Sequence, residues 1–136
     1  MTYLLDTDIC VFIIKKKSLA AMKMVQSKPA REIAVSAISL AELEYGVLRS
    51  RDRERNRAAL VEFLSPFAIL EFDRAAAVEY GRIRSLLEAG KKPIGPMDLL
   101  LAAQAKSRGL VLVTNNEREF QRVEGLRVEN WARAVL

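Results

Sequence analysis

The stretch Leu110-Val111-Leu112-Val113-Thr114-Asn115-Asn116 decides the fold. Four consecutive apolar residues end in a threonine and two turn-prone asparagines. A short uninterrupted apolar run reads as a strand buried on both faces, whereas a strand with one wet face alternates. Strands of that kind belong to parallel sheets with helices packed above and below.

Working outward, the same alternation of strand and helix recurs. Tyr3-Leu4-Leu5 predicts a short buried strand, followed by capping side chains at Asp6-Thr7-Asp8 and a helix from Ile9 to Lys16. Asp8 is the better candidate for the structural cap. Ser18 caps a second helix, Leu19 to Ser27, which Lys28-Pro29 ends. Ile33-Ala34-Val35 is a strand, and a helix starting at Ser36 or Ser39 runs to about Ser50. Arg51 to Leu64 is helical, and Phe67-Ala68-Ile69-Leu70 is a third strand. Asp73 caps a long helix closed by Gly90. Gly95-Pro96 opens the next helix, with proline in its favoured first turn, and that helix ends near Arg108-Gly109. After the opening stretch come a short helical piece through Phe120, a last strand at Leu126-Arg127-Val128, and Trp131 packing the C-terminus. The expectation is an α/β fold with a mostly parallel sheet of about five short strands. No linker or repeat divides it, so residues 1–136 form one domain.

Composition excludes several chemistries. The chain has no histidine, which removes His-based acid–base catalysis, Ser-His-Asp and Cys-His triads, and His-ligated zinc. Its one cysteine, Cys10, lies in an apolar run and reads as core; it cannot form an internal disulfide, so a reducing cytoplasm is expected. The run Ile9–Ile14 is too short for a secretory signal, acids precede it, and Lys15-Lys16-Lys17 follows it. No stretch suits a membrane span. There are 22 basic and 17 acidic residues, for a net charge of +5. If four acids share one pocket, 13 remain against 22, an envelope suited to a polyanion such as RNA or DNA.

Four acids stand out by placement: Asp6 closes the first strand, Glu42 sits among Leu40, Leu43 and Val47, Asp98 begins an otherwise apolar helix, and Glu119 follows the asparagine turn. A carboxylate in or beside a core is costly unless paired, hydrogen-bonded or metal-bound. Each has an ordinary reading too: a cap for Asp6, an exposed helix face for Glu42, a helix-dipole contact for Asp98. Glu117 competes with Glu119 for the fourth place, and Asn116 can add an amide oxygen. Ser39 and Gly46, one turn either side of Glu42, leave room beside that carboxylate, and Gly46 suggests a packing constraint. Asp6 and the Thr114–Glu119 segment directly follow strands, on the edge where parallel sheets carry their sites.

Four segments, in this order and spacing, resemble the PIN-domain nucleases, and most closely the VapC-type toxins of bacterial toxin–antitoxin modules. They are Tyr3-Leu4-Leu5-Asp6-Thr7-Asp8-Ile9; Ser36-Ala37-Ile38-Ser39-Leu40-Ala41-Glu42-Leu43 with Gly46; Asp98-Leu99-Leu100-Leu101-Ala102-Ala103; and Val113-Thr114-Asn115-Asn116 with Glu119-Phe120. The resemblance runs nearly end to end. It implies a three-layer α/β/α fold and a Mg²⁺- or Mn²⁺-dependent endoribonuclease. It assigns the catalytic acids to Asp6, Glu42, Asp98 and Glu119, with Asp6 and Asp98 as metal ligands and Thr7, Ser39 and Asn116 in support. Many PIN domains carry aspartate at the position of Asn116, and this departure keeps open the number of metals and a second reading, a non-catalytic PIN domain that only binds RNA or protein. A phosphoacceptor receiver domain is a weaker rival, since Asp73 reads as a cap and no lysine follows a late strand.

The resemblance further implies hydrolysis of RNA, often a tRNA, by metal-activated water, leaving 5′-phosphate and 3′-hydroxyl ends. It implies inhibition of translation, neutralisation by a VapB-type antitoxin lodged in grooves near the site, operator DNA bound only through that complex, and a homodimer. Candidates for substrate contact are Lys15 to Lys17, the arginines from Arg49 to Arg57, and Lys91-Lys92; none is singled out by its local sequence.

Overall fold

The computed structural model describes residues 1–133; the last three residues of the expected domain lie outside it. Strands β1 (Tyr3–Leu5), β2 (Ile33–Ser36), β3 (Ala68–Leu70), β4 (Val111–Val113) and β5 (Val128–Glu129) form one sheet. Its order is β3-β2-β1-β4-β5, and every pairing is parallel. The helices are α1 (Thr7–Ile14), α2 (Leu19–Ser27), α3 (Ala37–Arg49), α4 (Arg53–Leu64), α5 (Arg74–Ala89), α6 (Pro96–Ser107) and α7 (Glu117–Phe120), with a 3₁₀ turn at Ala30–Glu32.

Period-two alternation along the strands sorts the core into two layers. Leu4, Ala34 and Leu112 point to one face, where they meet Ile83 and Leu87 of α5, Leu99 and Ala103 of α6, and Phe120 of α7. Leu5, Ile33, Val35 and Val113 point to the other, against Ile9 and Cys10 of α1, Ala21 of α2, Leu43 and Val47 of α3 and Leu60 of α4. Trp131 closes this second layer, edge-on to Tyr3 at 5.0 Å between ring centroids. The result is the three-layer α/β/α arrangement that continuous apolar strands require. The two edge strands depart, β3 with Ala68 and Ile69 exposed and β5 with Glu129 exposed.

The caps follow the expected chemistry at Ser18, Ser36 and Asp73, whose side-chain oxygens accept from Ala21, Ile38 and Ala76 N–H groups. The fourth helix starts later than Arg51, because Asp52 caps it by accepting from Arg55 N–H. The first helix corrects the expectation more sharply. Asp6, not Asp8, is the N-cap: β1 ends at Leu5, Asp6 keeps extended backbone, and its Oδ1 accepts from Ile9 N–H at 2.9 Å. The helix therefore runs Thr7–Ile14 and stops before Lys16, which takes a positive φ of 56°. Among the described residues no helix is long and apolar enough to cross a membrane.

Candidate active site

Parallel register places the site. Leu5 pairs with Val35 on one side and Val113 on the other, so the next residues, Ser36, Asp6 and Thr114, stand together at the carboxyl ends of three adjacent strands. All three are buried, and Asp6 is only 2% exposed. The backbone N–H of Asp6 donates to Val113 carbonyl at 2.9 Å. The Thr114 hydroxyl donates to the Asp6 carboxylate, and Thr114 Oγ1 accepts from Asn116 N–H at 2.9 Å. Burial raises the Asp6 pKa to about 7; the Thr114 and Ile9 hydrogen bonds oppose this, and the charges of Asp8 and Glu42 add to it.

Glu42 reaches the same edge from α3. Thr7 Oγ1–H donates to Glu42 Oε1 at 2.6 Å and lies 2.9 Å from Ser39 Oγ, whose hydroxyl can turn toward it. Ser39 and Glu42, three residues apart on one helix face, thus meet the first residue of α1. The expectation of hydroxyl support from Thr7 and Ser39 has this physical form. Gly46 leaves the expected room on the side of Glu42, but not the expected packing constraint. A Cβ there would meet nothing within 4 Å, so no packing constraint demands glycine, and the position opens onto a groove. That groove, about 880 Å³, runs between α1, α3 and α4 from Thr7 and Glu42 past Val11, Ile14 and Phe63 to Lys15 and Arg55.

Asp98 and Glu119 form the other side. Asp98 lies in the first turn of α6, half-buried, with its pKa raised to about 7. Burial is the largest cause, followed by the charge of Glu119 and a side-chain hydrogen bond with it, then the charges of Asp6 and Asp8. Glu119 Oε1 accepts from Gly95 N–H at 2.6 Å, and Asn116 Nδ2–H donates to Glu119 Oε2. Gly95 packs beneath both acids: a Cβ there would lie 3.6 Å from Glu119 Oε1 and 3.8 Å from Asp98 Oδ2. Glu117 turns away and pairs with Arg133. Of the two competing acids, Glu119 is the one that joins Asp98.

Asp6 lies electrostatically between the two groups, since it is raised by Glu42 and itself raises Asp98. Among the described residues no three carboxylates converge on one point closely enough to enclose an ion. The donor set nonetheless fits a hard divalent cation: it is all oxygen, and Mg²⁺ is commonly held by one or two carboxylates with waters completing its shell. Carboxylates pushed up to about 7 by burial and mutual repulsion are the residues a cation would relieve. Two contributors escaped sequence reasoning, Thr114 as the donor to Asp6 and the Gly95 N–H beneath Glu119. The first had a signal, a threonine at the end of the strand that pairs beside Asp6. The second is a backbone donor and had none.

The PIN domain profile matches residues 3–126. A tRNA(fMet)-specific endonuclease VapC of Shigella flexneri is 42% identical over 132 residues, covering 97% of this chain and 99% of the relative. A ribonuclease VapC2 of Haemophilus influenzae is 42% identical over 131 residues, covering 96% and 98%. In three dimensions the chain resembles the crystal structure of DNA-bound VapBC from Salmonella typhimurium with TM-score 0.91 and 41% identity, over 96% of this chain and 98% of the other. VapBC2 from Rickettsia felis, bound to a promoter DNA fragment, gives TM-score 0.88 and 38% identity over 96% and 99%. The chain belongs to the PIN-domain family and, within it, to the VapC ribonucleases.

Proposed function

We propose that the chain is the endoribonuclease toxin of a toxin–antitoxin pair, cleaving RNA, and tRNA first among RNAs, at the carboxylate cluster. The observation that carries this reading is the buried Asp6 beside Glu42 and Asp98, in a chain whose relatives at 42% identity are named tRNA(fMet)-specific endonuclease and ribonuclease. Asp6 and Asp98 would hold Mg²⁺, with Mn²⁺ able to replace it. When bound, the ion supplies Lewis acidity that activates water toward a phosphodiester and offsets charge on the leaving oxygen. Glu42, held by Thr7, and Glu119, held by Gly95 N–H and Asn116, would accept hydrogen bonds from the waters of the ion's shell. Thr114 opposes the effect of burial on Asp6 and so favours the ionised form that would bind a cation.

The partner reading rests on the VapBC complexes. A VapB-type antitoxin would lay a segment in the groove between α1, α3 and α4, whose floor is apolar and whose inner end is Glu42. Operator DNA would be met only through that complex, as the DNA-bound relatives suggest. Tyr45 and Leu48 of α3 and Ile69 of the adjoining edge strand β3 are exposed, and a homodimer would cover them. The proposed compartment is the cytoplasm, and the cellular outcome is arrest of translation. Metal-dependent cleavage of a labelled tRNA pool by the wild type and by Asp98→Asn tests the reading. Loss of cleavage in the variant supports it, and equal cleavage by both contradicts it. The alternative, a PIN domain that only binds RNA, has Asn116 in its favour, at a position where the family often has aspartate.

A further inference from the structure

Beside the acids lies a second, smaller cavity of about 390 Å³, separated from them by one residue. Its walls carry four carboxamides, Asn115, Asn116, Gln121 and Asn130, together with Arg118 and the Glu117–Arg133 ion pair. Register again explains the placement. Asn115 and Asn116 follow β4 and Asn130 follows β5, two parallel neighbours whose carboxyl ends share the edge that bears Asp6. Asn116 is the common wall. Its Nδ2 donates to Glu119, which turns its Oδ1 away from that acid.

The hydrogen bonds fix what the cavity offers. Asn130 Oδ1 accepts from Ala132 N–H at 2.9 Å, and Asn130 Nδ2–H donates to Asn115 Oδ1 at 3.2 Å. Asn115 thereby has its carbonyl oxygen engaged and its amide donors uncommitted to Asn130, and it lines the cavity together with Asn116, whose Oδ1 is not the atom bound to Glu119. A wall of carboxamides carries both donors and acceptors, the pairing that the edge of a nucleobase presents in complement. A phosphate would call for cations, and here the two arginines are outnumbered by carboxamides, with one of them already paired to Glu117. The Arg118 guanidinium is exposed and supplies a flat face on which a base can stack.

We propose that this cavity receives the nucleobase next to the scissile phosphate and reads its edge through Asn115 and Gln121, making it the site of nucleotide preference. The proposal rests on the ribonuclease reading and deepens it. Its test is cleavage of a synthetic RNA with randomised single-stranded positions, in Mg²⁺ or Mn²⁺, with the product ends sequenced for the wild type, Asn115→Ala and Gln121→Ala. The wild type is expected to favour one or two nucleotides at a position flanking the cut. Each variant is expected to lose about tenfold at the favoured sequence while cutting the others at the wild-type rate, so that the preference flattens. Melting curves report whether each variant is folded, and the exposed Gln121 serves if Asn115→Ala is not. A wild type that cuts without preference, or folded variants that keep it unchanged, overturns the proposal alone. A wild type that cuts neither this RNA nor a tRNA pool overturns the ribonuclease reading and the proposal with it, and one that cuts the pool alone selects by RNA structure rather than by a flanking base and overturns the proposal.

Discussion

Glu119 Oε1 accepts a hydrogen bond from Gly95 N–H at 2.6 Å, across 24 residues of chain. This contact ties the turn after β4 to the start of α6 and sets Glu119 against Asp98. Of Glu117 and Glu119, it is therefore Glu119 that a backbone donor holds beside Asp98. Glu119→Gln is expected to lower RNA cleavage at least about tenfold, in the range seen when a supporting group around a metal site is removed. Glu117→Gln, which breaks only the exposed pair with Arg133, is expected to keep total turnover within a few-fold of wild type. Initial rates on an RNA pool decide the matter, and a Glu117 variant that is dead while the Glu119 variant works would reverse the assignment.

The raised carboxyls make the metal-free protein pH-sensitive. Asp6 and Asp98 titrate near 7 when folded and near the ordinary carboxyl value when unfolded, so the folded state binds more protons in between. For these groups stability is lowest above pH 7 and rises as pH falls toward 5. In Asp6→Asn the carboxamide can still cap Ile9, yet carries no charge, so at pH 8 without metal it should melt above wild type. The gain for this buried group is bounded at about 4 kcal/mol by its shift. Mg²⁺ should raise the wild-type melting temperature at pH 8, and should do so less at pH 6. Melting scans with and without chelator at the two pH values check both signs.

Thr114 is expected to set the pH at which the site becomes competent. Its hydroxyl stabilises the Asp6 carboxylate, so Thr114→Val pushes Asp6 further up and shifts the rising limb of the pH–rate profile to higher pH. Thr114→Ser restores the donor and should return the profile to that of wild type. A Val variant with reduced rate but an unmoved profile would mean that the hydroxyl matters only for packing.

Thr7→Val removes the hydroxyl that holds Glu42 at 2.6 Å. Activity should fall by about one to two orders of magnitude, while stability changes by about 1 kcal/mol, the net value of a hydrogen bond that is not deeply buried. Thr7→Ser should recover most of the activity. Urea unfolding beside initial rates separates the two effects.

Much of this was legible in the chain. The runs Tyr3–Leu5 and Val111–Val113 are too apolar for a one-sided strand, and they form adjacent central strands of the parallel sheet. Asp73 and Ser18 cap because short polar side chains precede helical runs. The four acids are brought toward one sheet edge because Asp6 and the turn before Glu119 follow strands directly. Asp8 was misread as the cap because local chemistry does not separate two aspartates two residues apart; where β1 ends does, and that is settled by pairing with Val113. The room at Gly46 was legible but its cause was not: a glycine in a helix suggests close packing, whereas this one faces a groove. The Gly95 donor and the donor–acceptor setting of the carboxamide cavity depend on tertiary contacts that no local pattern encodes.

The central claim is that Asp6 and Asp98 run metal-dependent hydrolysis of RNA. Its most direct measurement is the chemistry of the product ends from a labelled RNA cut by wild type with Mg²⁺, with chelator, and by Asp98→Asn. The account predicts 5′-phosphate and 3′-hydroxyl ends with Mg²⁺, no cleavage in chelator, and none by the variant while its fold is intact. Cleavage that persists in chelator, or 2′,3′-cyclic phosphate ends, would contradict it.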